Sequence, residues 1–112
     1  MTVAKDIAKL QVLTQLLLDA KLQVLRQATE DRDRSLMQRE ALTVAEAPGS
    51  LPVAVAASVS LTYSRWADQR RAELNSVIAR QTVACMVARA EASTAFGKVQ
   101  ALQAALDRQA KR

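Results

Sequence analysis

Histidine is absent from this chain of 112 residues, cysteine occurs once, and there are three aromatic side chains, Tyr63, Trp66 and Phe96. The missing histidine removes the commonest general base and the commonest metal ligand. One cysteine excludes an internal disulfide. Without a histidine to activate it, Cys85 reads as a small apolar residue of a packed seam, a usage that suits a reducing compartment. So few aromatics argue against a large globular core, because aromatic rings bury the most area per residue. Glycine and proline occur twice each, and three of those four residues lie within Pro48–Pro52. No unbroken apolar run approaches the ~20 residues that a bilayer requires. Near the N-terminus Asp6, Lys9 and Gln11 interrupt anything resembling a signal-peptide core. The expectation is a soluble, intracellular chain with no membrane span.

What remains is a sequence of helix formers whose apolar content is alanine, leucine and valine. Residues 2–47 read as one helix, with Thr2 as its N-cap. A heptad frame places Val3, Leu10, Leu17 and Val24 at one seam position and Ile7, Thr14, Lys21 and Ala28 at its companion. Leu13, Leu16, Leu18, Leu22 and Leu25 widen the stripe, so this segment has apolar side chains for more than one neighbour. The run Glu30–Arg34 carries five charges and interrupts the stripe, with Glu30 and Arg34 spaced for an i, i+4 ion pair. Pro48-Gly49-Ser50-Leu51-Pro52 ends the helix, since proline lacks the helical N–H and glycine suits a C-terminal cap. The apolar and small residues of Val53–Leu61 hint at a strand, but no partner strand exists. They are read as the start of a second helix over 53–110, or else 45–60 is unstructured. In the second helix Ile78, Cys85, Ala92, Val99 and Leu106 recur every seven residues. Leu74, Gln81, Ala88, Ala95, Leu102 and Gln109 hold the companion position.

The predicted fold is therefore all-α: two long helices forming an antiparallel coiled-coil hairpin, a single domain over 1–112 with its turn at 48–52. A turn centred on Gly49–Ser50 would pair residues whose numbers add to 99 or 100. Leu10 would then meet Arg89–Ala90, Leu17 would meet Thr82–Val83, and Leu25 would meet Leu74. Val3 would lie opposite Phe96, leaving everything beyond Gly97 as an unpaired tail. An apolar stripe there (Val99, Leu102, Leu106) would need an external partner. Within the seam, Ala92→Asp is expected to splay the helices by burying a charge. A two-helix hairpin has little buried area per residue, so such a protein is expected to work docked on something larger.

The net charge is +5 and it is uneven. Residues 1–47 carry seven basic and seven acidic side chains, whereas 48–112 carry nine basic and four acidic. The excess suggests an acidic partner surface or nucleic acid. No helix-turn-helix spacing, zinc-finger pattern or stacking set of aromatics accompanies it, which argues against nucleic acid. Nor is there a glycine-rich phosphate loop, a metal-ligand cluster, or a Ser/His/Asp or Cys/His set. The sequence thus reads as non-enzymatic, with no catalytic, cofactor or metal residue to nominate.

The stretch Tyr63–Arg112 runs Tyr-Ser-Arg-Trp-Ala-Asp-Gln-Arg-Arg-Ala-Glu-Leu, then Ala-Arg-Gln and Val-Ala-Arg-Ala-Glu-Ala, and ends Lys-Val-Gln-Ala-Leu-Gln-Ala-Ala-Leu-Asp-Arg-Gln. It resembles the second helix of the flagellar export stalk proteins (the FliJ family) and their virulence-system counterparts (YscO-like), which are small antiparallel coiled coils. The resemblance implies a cytoplasmic protein, peripheral to an inner-membrane export apparatus. Its implied partners are the hexameric export ATPase, with the coiled coil in the ring's centre, and also the export gate and chaperones. On that reading Val99, Leu102, Leu106 and Arg108 would contact the ring, and Arg65, Arg70, Arg71, Arg80 and Arg89 would present a basic face. This chain is shorter than the family's longer members and has a proline-rich turn, which bears on the gate and chaperone contacts first. Two other readings stand beside it: a coiled-coil scaffold or chaperone-like adaptor of another system, and a basic nucleic-acid-binding helix pair.

Overall fold

A computed structural model describes residues 2–42 and 52–111 of the chain. Two helices account for nearly all of them: α1, Thr2–Ala41, and α2, Val53–Ala110. No strand occurs among the described residues, and Val53–Leu61 is helical. The expected first helix over 2–47 is described as helix to Ala41. Residues 43–47, the turn residues before Pro52 and the Thr2 side chain lie outside what is described. At the end of α1 the Leu42 N–H donates to the Arg39 carbonyl at 3.2 Å, a tightening of the last turn that satisfies an otherwise orphan acceptor. Pro52 stands just before α2, and its carbonyl accepts from the Ala56 N–H at 2.7 Å. Proline is well placed there, since its missing N–H would have had no helical partner.

The fold is an all-α helical hairpin, and it divides into two units. The terminal unit comprises Met1–Thr29 and Val83–Arg112, and the central unit Glu30–Thr82. In the terminal unit, two side-chain links cross from α1 to α2. Gln11 Nε2 donates to Gln103 Oε1 at 3.2 Å, and Lys21 Nζ donates to Glu91 Oε2 at 3.1 Å. The higher number on one helix meets the lower on the other, so the helices of this unit are antiparallel. The paired numbers add to 114 and 112. In the central unit the crossing link is Arg39 Nη1 to Asn75 Oδ1 at 3.0 Å, and these numbers add to 114.

This register corrects the expected one by about two heptads. Leu10 does not meet Arg89–Ala90, nor Leu25 Leu74; a constant near 113 sets Leu18 against Ala95 and Leu25 against Ala88. The α2 tail is consequently not an overhang. Val99, Leu102 and Leu106 are half-buried, as Ile7 is on α1. The symmetric-turn assumption failed because it counts outward from Gly49, whereas a constant near 113 centres the pairing at about residue 56, inside α2. Residues 53–70 of α2 lie beyond the span that the described part of α1 reaches, and Ala67 among them is buried. Gly97 does not interrupt α2 either.

On α2 the two heptad positions read from the sequence are the covered ones: Leu74, Cys85, Ala88, Ala92 and Ala95 are buried, and the same face reaches back to Ala67. On α1 only one of the two expected positions is covered. Ile7, Thr14, Lys21 and Ala28 are half-buried, but their companions are Leu18 and Leu25, not Leu10, Leu17 and Val24. Large side chains of α1 thus lie over the small centre of α2, which is what interdigitation needs. Three hydroxyls along the seam are satisfied by their own helix: those of Thr29, Ser35 and Thr82 donate to the carbonyls of Leu25, Asp31 and Ile78.

The charged run Glu30–Arg34 does not break α1. Arg34 lies 3.6 Å from Asp31, an i, i+3 pair in place of the expected partner Glu30. Arg32 occupies a seam position, and its Nε is buried without a hydrogen bond, 3.8 Å from Asp33 Oδ1. Gln81 Oε1 is buried and unbonded as well, and the central unit's register sets Gln81 opposite Arg32. Neither of these two buried atoms has a hydrogen bond, which costs desolvation at each. The double variant Arg32→Leu/Gln81→Leu is expected to be more stable by about 1–3 kcal/mol. A thermal melt checks this: an unchanged or lower midpoint would show that these groups are satisfied in solution.

Candidate partner-binding surface

The residues expected to bind a partner are distributed differently from the expectation. Val99, Leu102 and Leu106 continue the seam of the terminal unit and face α1. Only Arg108 of that group is exposed, its Nε 3.5 Å from the Ala104 carbonyl, where a cation complements the negative end of the helix. The five arginines do not form one face. Arg65, Arg80 and Arg89 are exposed, whereas Arg70 and Arg71 are half-buried. Arg70 Nη1 donates to Glu73 at 3.2 Å and Arg71 Nη1 to Asp68 at 2.8 Å. These i, i+3 pairs each neutralise a charge that the basic-face reading had counted as available.

Folding also redistributes the charge. Between the two halves of the sequence the excess belongs to residues 48–112. Between the two units it belongs wholly to the terminal unit, which carries nine basic and four acidic side chains, while the central unit carries seven of each.

The surface that sequence reasoning misplaced is on α1. Leu10, Leu13, Leu17 and Val24 are exposed and recur at the 3–4 spacing of a seam, yet α2 covers a different stripe. Val12 and Leu16 are exposed too, so the stretch Leu10–Leu18 is apolar around most of its circumference. The signal was present in the sequence as a leucine stripe too wide for one neighbour. A shallow groove alongside is lined by Leu17, Lys21, Glu91, Thr94, Ala95 and Lys98, with the Lys21–Glu91 ion pair across it. In the central unit most of the exposed large apolar residues are at the start of α2 (Val53, Val55, Val59, Leu61 and Trp66), and Met37 is exposed on α1. Tyr63 and Trp66 lean together there, with ring centroids 5.6 Å apart and planes tilted by 47°.

Among the described residues no group of three or more histidine, cysteine, aspartate or glutamate side chains is placed to hold a metal. No described helix is long and apolar enough to cross a membrane. What the geometry defines is a two-helix coiled coil that presents an apolar, basic-rimmed surface. Comparison with protein families, curated proteins and solved structures finds nothing that matches this chain.

Proposed function

We propose that this chain is a non-enzymatic accessory protein of a flagellar or type III export apparatus, and that it binds the export ATPase ring as a coiled-coil stalk. The observation that carries the reading is the terminal unit itself. It joins the first and last thirty or so residues in one antiparallel pair and holds the whole net charge of +5. A stalk that enters a ring by its open end needs paired helices there, with a charge able to steer it toward an acidic lining. The contact residues are revised accordingly: Val99, Leu102 and Leu106 hold the helices together, and the exposed Leu10, Leu13 and Leu17 with Arg108 meet the ring.

The test is co-purification of the full chain with the export ATPase of the same organism, followed by hexamer formation and hydrolysis assays. Binding at or below about 10 μM, with hydrolysis stimulated, is expected. Absence of binding at that concentration would sink the proposal. It would leave the adaptor of another system, a reading that the exposed apolar residues on both units also support.

A further inference from the structure

Between Lys9 and Asp19 the sequence has no charged residue: Leu-Gln-Val-Leu-Thr-Gln-Leu-Leu-Leu occupies positions 10–18. In α1 this is two and a half turns. Leu18 faces α2 and is buried. At about 100° per residue, Leu10 and Leu17 lie on one flank of that direction, and Val12, Leu13 and Leu16 lie around the back. All five are exposed. A helix that is apolar on its back as well as toward its neighbour belongs in an interior, and α2 supplies only one wall of it.

The polar side chains of the stretch do not oppose burial. Gln11 Nε2 is bonded to Gln103, the Thr14 hydroxyl donates to the Gln11 carbonyl at 3.1 Å, and Gln15 Nε2 donates to Asp19 Oδ1 at 3.0 Å. At about 100° per residue Gln11, Thr14 and Gln15 all lie within about 60° of the Leu18 direction, so a partner on the back of α1 leaves these bonds in place.

The charge around the segment says what kind of partner covers it. Lys5, Asp6 and Lys9 precede it, Asp19 and Arg26 follow it, Lys98 stands across the groove beside the Lys21–Glu91 pair, and the terminal unit as a whole is +5. Two copies of this unit would bring +5 against +5, which disfavours a second copy as the occupant. An interfacial membrane helix requires a strongly polar face opposite its apolar one, and 10–18 has no such face. We propose that Leu10–Leu18 docks in a groove of another protein, a groove lined by aliphatic side chains and rimmed by carboxylates. The inference does not depend on that protein being an ATPase.

The experiment uses the full chain in its cell of origin, with Leu13 replaced by photoreactive benzoylphenylalanine and Met37 of the central unit replaced in a parallel control. After irradiation the crosslinked peptides are sequenced. The captured protein is then purified and titrated against wild type, Leu13→Ser/Leu16→Ser and Lys9→Glu/Lys98→Glu. The expected result is a contact peptide of net negative charge captured from position 13 and not from position 37. Binding should be about tenfold or more weaker for the serine variant, and several-fold weaker for the charge-reversed variant or at high salt. All four side chains are exposed, so both variants should keep wild-type helicity by circular dichroism. Capture of a second copy, of lipid, of a net basic contact peptide or of nothing would overturn the proposal, as would equal affinity of both variants.

The two proposals fail separately. An acidic partner other than the export ATPase supports this inference and removes the stalk reading. An export ATPase that binds all variants equally removes this inference and the leucine contacts proposed with the ring, and leaves the stalk reading with its partner alone.

Discussion

Replacing Ala88 by aspartate is expected to separate the helices of the terminal unit. Ala88 is 4% exposed, at the narrow centre of the α2 seam, and the register sets Leu25 across from it. No cation is placed to meet a carboxylate there, so the charge would be buried unpaired, at about 3–5 kcal/mol. Small domains have only a few kcal/mol in hand, and a two-helix hairpin is at the low end. Circular dichroism at neutral pH should therefore show a large loss of helicity or a collapsed melting midpoint. The pH dependence has a definite sign. Burial raises the pKa of the new carboxyl in the folded state above its unfolded value near 4. The penalty is full above the raised value and recedes as pH falls toward the unfolded one, where the group is neutral in both states. The variant should thus regain helicity on mild acidification. The same change at Ala92 is now expected to be milder than the sequence implied. Lys21 lies across from that turn, its Nζ 3.1 Å from the neighbouring Glu91, and can share itself with a second carboxylate. If Ala88→Asp melts like wild type, the seam is misassigned.

Leu74→Ala should cost about 2–4 kcal/mol. Leu74 is the most deeply covered large side chain of the central unit, at 3% exposure, and its truncation leaves a cavity that two helices cannot close around. In urea the midpoint should fall while the slope is unchanged. Leu13→Ala is the informative companion: Leu13 is 59% exposed, and its truncation in the free chain should stay within about 0.5 kcal/mol. The contrast separates leucines that hold the hairpin from leucines kept for another purpose. A loss at Leu13 as large as that at Leu74 would mean that the α1 stripe is already covered in solution.

Much of this protein was determined by its sequence alone. The shortage of aromatics, glycine and proline, and the clustering of breakers at Pro48–Pro52, require two long helices and no large core. The α2 seam was legible, because Ile78, Cys85, Ala92, Val99 and Leu106 and their companions Leu74, Ala88, Ala95 and Leu102 hold one seven-residue frame over four heptads. The α1 seam was not. Its leucines fit two overlapping heptad frames, and local periodicity assigns no preference between a stripe that meets α2 and a stripe that meets something else.

Only the pairing of the helices decided that question. Register is a property of two surfaces together: a turn placed at Gly49–Ser50 counts residues, while the Gln11–Gln103, Lys21–Glu91 and Arg39–Asn75 links depend on which side chains come opposite each other. Moving that register by about two heptads covered Val99, Leu102 and Leu106, and a separate choice of face, with Leu18 and Leu25 as the α1 companions, left Leu10, Leu17 and Val24 exposed. Composition and spacing determined the helices and their small-residue seam. Which leucines are left for a partner was decided by tertiary structure, because burial is set by what lies across from a side chain, not by its position along one helix.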